Sequence, residues 1–175
     1  MQQPVKRIVI IGPESTGKST LTHQLASYFH TSMAGEYARS YLEQLGRPYH
    51  QEDLEAIAKG QLAAEENAVT AARHGLTFLD TDLYVLKVWS EDKYGSCSEY
   101  ILQQLASRTY DLYLLTDIDL PWEDDPLREH GEPEMRRYFF NIYHDIVLHS
   151  GVPFIRVQGK EQERLEQAIG AVKRL

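Results

Sequence analysis

The sequence has one cysteine, Cys97, among its 175 residues. A disulfide framework within the chain is therefore excluded, and a reducing compartment is favoured. No apolar run approaches the roughly 20 residues that a membrane-spanning helix needs, and the N-terminus shows no signal-peptide pattern. We therefore expect a cytoplasmic protein without a membrane partner.

Basic residues are also scarce, because 18 Lys and Arg stand against 26 Asp and Glu, a formal net charge of −8. Nucleic acid is disfavoured as a partner, since the phosphate backbone needs a basic surface. A small phosphorylated ligand needs only a local positive pocket and stays compatible with this charge. The seven histidines show no metal-ligand spacing, which disfavours a zinc site. The sequence also has no N-K-x-D motif to recognise guanine, which disfavours a preference for GTP.

The strongest motif that is present lies in residues 8–21, IVIIGPESTGKSTL. An apolar, β-branched run precedes G-x-x-x-x-G-K-S, and an amphipathic pattern follows, which is the context of a phosphate-binding P-loop. A chance match in a turn is the alternative, and this context disfavours it. Lys18 would reach the β- and γ-phosphates of ATP, and Ser19 would bind Mg²⁺. The predicted nucleotide-binding residues of the loop are Gly12, Glu14, Ser15, Thr16, Gly17, Lys18, Ser19 and Thr20.

Apolar and amphipathic segments alternate along the chain, which predicts one α/β domain over residues 1–175, with a parallel sheet between two layers of helices. In such folds ligands bind at the carboxyl ends of the strands. Gly60 interrupts a long helical pattern and predicts a kink there. Strands are predicted at 5–11, 31–34, 76–79, 110–116 and 153–157, and helices at 17–29, after 36 to 45, 51–73, 83–92, 98–107, 133–150 and up to 173.

Two carboxylates follow the third predicted strand. Asp80 comes directly after the apolar run and is the better candidate to hold Mg²⁺ opposite Ser19. Asp82 would then face the acceptor of a phosphoryl group, although capping of the next helix explains the same residue.

A second group of candidates, Glu36, Tyr37 and Arg39, follows the second predicted strand. The Glu36 carboxylate could take the proton of an acceptor hydroxyl, and an ordinary acid in the first turn of a helix is the alternative. The Tyr37 ring could stack on a base, and the Arg39 guanidinium could bind phosphate or carboxylate.

Residues 117–137 are rich in proline and charge, which is typical of a mobile loop and here predicts a lid. Arg128 and Arg136 could stabilise the charge of a transferring phosphoryl group when the lid closes. Solvated surface charges are the alternative. Trp122 could stack on a ligand ring or lie partly buried under the lid.

A weaker nucleotide-binding signal follows the fifth predicted strand. Gly159 and Lys160 open a loop at the strand end where an adenine could be wrapped. An ordinary turn into the last helix explains the same two residues.

The segments GPESTGKST, EYAR, FLDTD and LLTDIDLPWEDDPLR together resemble the ribosylnicotinamide kinase domain of the NadR type, within the P-loop NTPase superfamily, over about residues 6–164. The resemblance implies a three-layer fold with strand order 2-3-1-4-5. It also implies phosphorylation of the 5′-hydroxyl of nicotinamide riboside by ATP and Mg²⁺, a step of NAD biosynthesis. By position it assigns Lys18, Glu36, Asp80 and Arg128 to catalysis, Ser19 and Asp80 to the metal, and Glu36, Tyr37, Arg39, Asp82, Trp122 and Asp125 to the substrate.

The chain departs from this family in one place that concerns the acceptor. Some members carry an aromatic residue directly before the Glu-Tyr pair, where this sequence has Gly35. Tyr37, Tyr41 or Trp122 are the candidates to replace that ring. A kinase for another small hydroxyl compound, or a nucleotide-dependent regulatory switch, are therefore the alternative functions. The oligomeric state is not predicted.

Overall fold

Five short strands form one sheet in the order β2-β3-β1-β4-β5 in the computed structural model, which describes residues 4–175. All four strand pairs are parallel, so the predicted strand order and sheet type are confirmed. Residues 1–3 of the predicted domain lie outside the described range. The strands are β1 (Lys6–Ile11), β2 (Met33–Ala34), β3 (Leu76–Asp80), β4 (Leu112–Thr116) and β5 (Phe154–Val157).

Seven helices surround this sheet in the described part of the chain. Their ends differ from the predicted ones by at most three residues, the largest difference being the end of the third helix at Thr70 instead of residue 73. The helices are α1 (Lys18–Tyr28), α2 (Tyr37–Leu45), α3 (Gln51–Thr70), α4 (Leu83–Tyr94), α5 (Glu99–Ser107), α6 (Pro133–His149) and α7 (Glu161–Val172).

The alternation of side chains along β1 divides the core into two layers. Val9 and Ile11 pack with residues of α3, α4 and α6 on one face of the sheet. Ile8 and Ile10 pack with residues of α1 and α7 on the other face. Both faces of β1 are apolar because successive side chains of a strand point to opposite sides, and both sides are covered by helices.

A third apolar cluster lies beyond the sheet, where α2, α3, α4 and α5 meet. Packing in this cluster requires a glycine at position 60 of α3, because a Cβ there would lie 2.0 Å from Cε1 of Tyr37. The glycine therefore lets the Tyr37 ring press against the helix, and α3 continues without interruption from Gln51 to Thr70. The kink predicted at Gly60 stays a prediction, and the glycine permits a close contact between α2 and α3.

The first strand lies between β3 and β4, so the chain crosses to opposite sides of the sheet from this central position. Such a switch point leaves a crevice at the carboxyl ends of the strands. The loops after β1, β2, β3 and β4 carry most of the predicted site residues to this edge. Within residues 4–175, no helix combines the length and the apolar character that a membrane crossing requires.

Candidate active site

The P-loop connects β1 to α1 and is fixed against the end of β4. Gly12 has a φ of +153°, and a Cβ there would lie 2.3 Å from Oγ1 of Thr116, so a side chain is excluded. The buried Thr16 hydroxyl donates to the carbonyl of Pro13 (2.8 Å) and shares a 2.7 Å hydrogen bond with the Thr116 hydroxyl. Gly17, at φ +77°, precedes α1. The loop is thus held in one shape by its own sequence and by β4.

Two buried arginines support the loop through its carbonyl groups. Arg164 of α7 donates to the carbonyl oxygen of Thr16 (2.7 Å), and Arg136 of α6 donates to that of Ser15 (3.1 Å). Their exposed fractions are 3% and 8%. Arg136 was expected in this region as part of the lid, whereas nothing in the helical pattern around Arg164 distinguishes it from a surface arginine.

The charged groups of the P-loop meet the end of β3. The Lys18 ammonium donates to the carbonyl oxygen of Pro13 at 2.7 Å. The Ser19 hydroxyl donates to Oδ2 of Asp80 at 2.5 Å. Burial raises the pKa of Asp80, while Lys18 and the Ser19 hydrogen bond oppose that rise. We refer to residues 12–21 together with Asp80 as the donor half of the site.

The segment 117–137 lies over the P-loop and is bonded to it. The Glu14 carboxylate accepts hydrogen bonds from the backbone N–H groups of residues 129–130, both at 3.1 Å. Arg128 donates to the Ser15 hydroxyl at 3.3 Å. The structure therefore places the predicted lid segment in contact with the P-loop, with Arg128 beside the phosphate-binding loop.

A cavity of about 500 Å³ extends from the P-loop between α2, α4 and the lid. Glu36 precedes α2 and lines this cavity. Burial raises the pKa of Glu36, and the nearby Lys18 ammonium acts against the rise. Arg39 lines the same cavity and forms a 3.0 Å ion pair with Asp125, which connects α2 to the lid.

One face of α4 forms the far wall of the cavity. Val85, Val88, Trp89 and Asp92 all line it, and they recur at the i, i+3, i+4, i+7 spacing of a single helix face. Asp92 lies 3.5 Å from the imidazole of His130 in the lid. We refer to Glu36, Arg39 and this face of α4 as the acceptor half. The α4 residues were not predicted, although their spacing was visible in the sequence directly after the Asp-Thr-Asp segment.

Asp82 caps α4 and is absent from the main cavity wall, although it lines a small recess beside Glu36. Its carboxylate accepts the backbone N–H of Tyr84 (2.9 Å) and the hydroxyl of Tyr113 (2.7 Å). It is 1% exposed, and burial raises its pKa to about 6. Asp82 therefore caps α4, the alternative that the sequence left open, and Asp80 alone of the two reaches the P-loop through Ser19.

Two predicted aromatic contacts are also absent from the cavity wall. The Tyr37 ring packs on Gly60. Trp122 packs against Gly131, with the guanidinium carbons of Arg128 and Arg136 each 5.9 Å from its ring. Neither ring lines the cavity. Both stabilise the surroundings of the site, and Trp122 corresponds to its alternative of partial burial within the lid.

Gly159 and Lys160, which were predicted to contact the adenine, are also absent from the cavity wall. The Gly159 N–H donates to Asp119 at 2.6 Å, and Lys160 immediately precedes α7, with its N–H donating to Glu163. Neither residue lines the cavity, whose donor end instead includes Glu161 and Arg164. Gly159 and Lys160 therefore form a turn that leads into α7, as in the alternative interpretation of the sequence.

The family model of an AAA domain matches residues 7–164 of the sequence. The chain belongs to this family. The match confirms the domain type that the P-loop motif indicated, and it covers all the described strands and helices except the first residue of β1 and most of α7.

The chain is also similar to NadR. The chain is 28% identical over 165 residues to the trifunctional NAD biosynthesis/regulator protein NadR of Escherichia coli (strain K12), covering 91% of this chain and 40% of that protein. It thus spans about two fifths of the length of this curated relative. The crystal structure of NadR in complex with NR has a TM-score of 0.76 and 25% identity, over 97% of this chain and 49% of that one. The predicted resemblance to the NadR-type domain is therefore confirmed.

A further structure, NadR in complex with NAD and AMP-PNP, gives a TM-score of 0.70 at 25% identity, again over 97% of this chain and 49% of that one. Deoxyadenosine kinase from M. mycoides gives 0.66 at 10% identity, over 97% and 100% of the two chains, and this likeness concerns the fold alone. The AAA domain described here is accordingly a nucleotide-binding P-loop domain with the fold of nucleoside kinases.

Proposed function

We propose that the protein is an ATP-dependent kinase that phosphorylates the 5′-hydroxyl of nicotinamide riboside or a closely related riboside. One observation carries the proposal: the P-loop Lys18 and the Glu36 carboxylate line one cavity of about 500 Å³. A phosphate donor and a hydroxyl acceptor bound at these two groups would meet inside a single cavity. The similarity to NadR, solved with NR bound, supports the choice of acceptor.

The proposed reaction transfers the γ-phosphoryl group of ATP to the riboside. A bond forms between the 5′-oxygen and the γ-phosphorus, the bond from that phosphorus to the β,γ-bridging oxygen breaks, and ADP leaves. The hydroxyl proton passes to Glu36, whose raised pKa makes it a stronger base than an exposed glutamate. Lys18 and Arg128 stabilise the charge on the transferring group.

Mg²⁺ fits the residues at the end of β3. The Asp80 Oδ1 atom is buried and has no hydrogen-bond partner within residues 4–175. The other carboxylate oxygen, Oδ2, accepts a hydrogen bond from the Ser19 hydroxyl. An unpaired buried carboxylate oxygen beside a hydroxyl is the oxygen-rich chemistry that Mg²⁺ prefers. Ser19 and Asp80 would hold the ion, which when bound would neutralise charge on the nucleotide phosphates.

A panel of nucleosides tests this proposal. The protein is incubated with ATP, Mg²⁺ and one nucleoside at a time, with nicotinamide riboside first, and ADP and phosphorylated nucleoside are both measured. We expect one riboside to accelerate ADP formation strongly and to be converted to its 5′-phosphate. Slow ATP hydrolysis that no nucleoside accelerates would instead favour the nucleotide-dependent switch.

A further inference from the structure

Gly35 leaves the acceptor half without a ring where some NadR-type domains have one, and a Cβ at Gly35 would meet no atom within 4 Å. The three residues that the sequence offered as replacements are engaged elsewhere. Tyr37 packs on Gly60, the Tyr41 hydroxyl donates to Asp53 at 2.9 Å, and Trp122 packs within the lid. None of them lines the cavity. A flat ligand ring must therefore find a different partner.

Trp89 is the aromatic residue that meets this need. It lines the main cavity and also a small recess beside it, and Glu36 lines both as well. Phe139 and Tyr143 line the main cavity too, but they are 7% and 5% exposed and belong to the core packed on the sheet. Trp89 remains only partly buried, so its ring has surface available to a ligand next to the acceptor carboxylate.

The hydrogen bonds of Trp89 determine which part of its indole ring is available to a ligand. Its Nε1–H donates to the Tyr49 hydroxyl at 2.7 Å, and the two rings meet edge to face at 4.8 Å between centroids. The single donor of the indole is thus already used. What remains is the face of the ring, which attracts flat aromatic groups and does not distinguish them by hydrogen bonding.

Tyr49 in turn connects this ring to the predicted lid segment, residues 117–137. Its hydroxyl donates to Glu129 at 3.0 Å, and the Glu129 N–H donates to Glu14 of the P-loop at 3.1 Å. The Trp89 ring is therefore held in place by a residue that the lid contacts. Its orientation is fixed before a ligand arrives, which reduces the entropy lost on stacking.

We infer that Trp89 binds the aromatic ring of the acceptor and that Tyr49 is its positioning residue. This inference rests on the proposed function. The ligand class is a riboside with a flat aromatic ring, stacked on Trp89 so that its ribose lies toward Glu36. Ribose without a ring would lack this contact and bind poorly. Specificity for the ring is accordingly set by α4 in this chain and not by the segment before Glu36.

Steady-state kinetics provide the first test, with the riboside that the panel identifies. Loss of a base–aromatic stack predicts that Trp89→Leu raises the riboside KM about 10- to 100-fold, with kcat much less affected. Trp89→Phe should restore most of the affinity, and Tyr49→Phe should give a smaller rise in KM. Tyr84→Leu, the same kind of change on the same helix but outside the cavity wall, is the matched control. A wild-type KM in Trp89→Leu would overturn the inference and leave the kinase proposal standing.

Fluorescence separates the inference from the reaction, because Trp89 and Trp122 are the two tryptophans of the chain. In Trp122→Phe the emission reports Trp89 alone, and in Trp89→Phe it reports Trp122 alone. Riboside binding without ATP should quench the first variant and leave the second nearly unchanged, and ribose should quench neither. Quenching without any phosphoryl transfer would retain the ring-binding role and reject the kinase. Binding that changes only the emission of Trp122, or no binding by any riboside, would overturn the role of Trp89.

Discussion

The donor half and the acceptor half of the site are built in different ways. Ten consecutive residues after β1 supply most of the donor half, and hydrogen bonds from the side chains of Thr116 and Arg164 to Thr16 fix their shape. The acceptor half takes Glu36 and Arg39 from the start of α2 and its remaining wall from α4, and residues of the predicted lid segment line the same cavity. A contiguous loop suits a ligand common to many enzymes. A wall assembled from separate elements can change its ligand by changing single side chains.

Removing the ammonium group of the donor half should have the largest effect. In Lys18→Ala, we expect kcat to fall by about 10²- to 10³-fold or more, as when a preorganised charge-stabilising group is lost. The fold should be retained, since the ammonium donates only to the Pro13 carbonyl in the described chain. Turnover and circular dichroism measure the two outcomes, and Lys87→Ala, outside the cavity, is the control. Turnover close to wild type would contradict the donor assignment.

The matching change in the acceptor half is Glu36→Gln, which keeps the shape of the side chain and removes its basicity. We expect kcat to fall by about 10²-fold with nucleotide affinity unchanged, and Glu52→Gln, at an exposed position outside the cavity wall, to be neutral. Because burial raises the pKa of Glu36 above its ordinary value of 4.5, wild-type activity should decline on acidification at a pH above that value. The variant should lack this acid limb. An unchanged pH profile in Glu36→Gln would exclude Glu36 as the base.

Comparing substitutions of Asp80 and Asp82 tests whether only the first of these carboxylates belongs to the donor half. Asp80→Asn should lower turnover at least about tenfold and raise the Mg²⁺ requirement, because Asp80 contacts Ser19. Asp82→Asn should leave turnover within about threefold and act on stability through the cap of α4. A parallel loss of turnover in both variants would return Asp82 to the site.

Asp82 also predicts a pH dependence of stability. Since folding raises its pKa from 3.8 to about 6, folding favours the neutral acid. This contribution is complete below pH 3.8 and is lost as the pH rises through about 6. Asn resembles the neutral acid, so denaturant titrations of Asp82→Asn should show a flatter profile over this interval. A profile identical to wild type would show that another group carries the dependence.

The smallest expected effect concerns the support of the acceptor half. Gly60→Ala places a methyl group against the Tyr37 ring, a contact of 2.0 Å that must relax. Overpacking of this kind costs about 1–3 kcal/mol, measurable as a lower free energy of unfolding. The riboside KM should rise as α2 moves, and the nucleotide KM should not. Gly35→Ala, where the added methyl meets open space, should leave stability unchanged, and equal losses in both variants would contradict the packing account.

Most helices and strands were predictable because they have local signals, whereas the strand order was implied by the family resemblance. The apolar runs of β1 and β4, the P-loop glycines, and the pattern of α1 all follow from neighbouring residues. The end of α3 was misplaced by three residues because helix ends depend weakly on sequence. The packing role of Gly60 was not predicted, since the sequence shows a poor helix former and not the ring that packs on it.

The donor half was predictable for the same reason, and the acceptor half was only partly so. Glu36 and Arg39 follow a short motif, and the structure places both on the cavity wall. Trp89 could have been found from helical spacing once the α4 face was assigned to the ligand side. Arg164 could not, because its contact with Thr16 joins residues 148 positions apart and no local pattern records it.

Phosphoryl transfer between the two halves is the central claim, and the product ratio tests it most directly. With ATP, Mg²⁺ and nicotinamide riboside, the amounts of ADP and of phosphorylated riboside are measured over the same time course. The account predicts equal amounts of the two products, with both lost together in Lys18→Ala and Glu36→Gln. ADP accompanied by inorganic phosphate and no phosphorylated riboside, for this compound and for every other riboside tried, would contradict it.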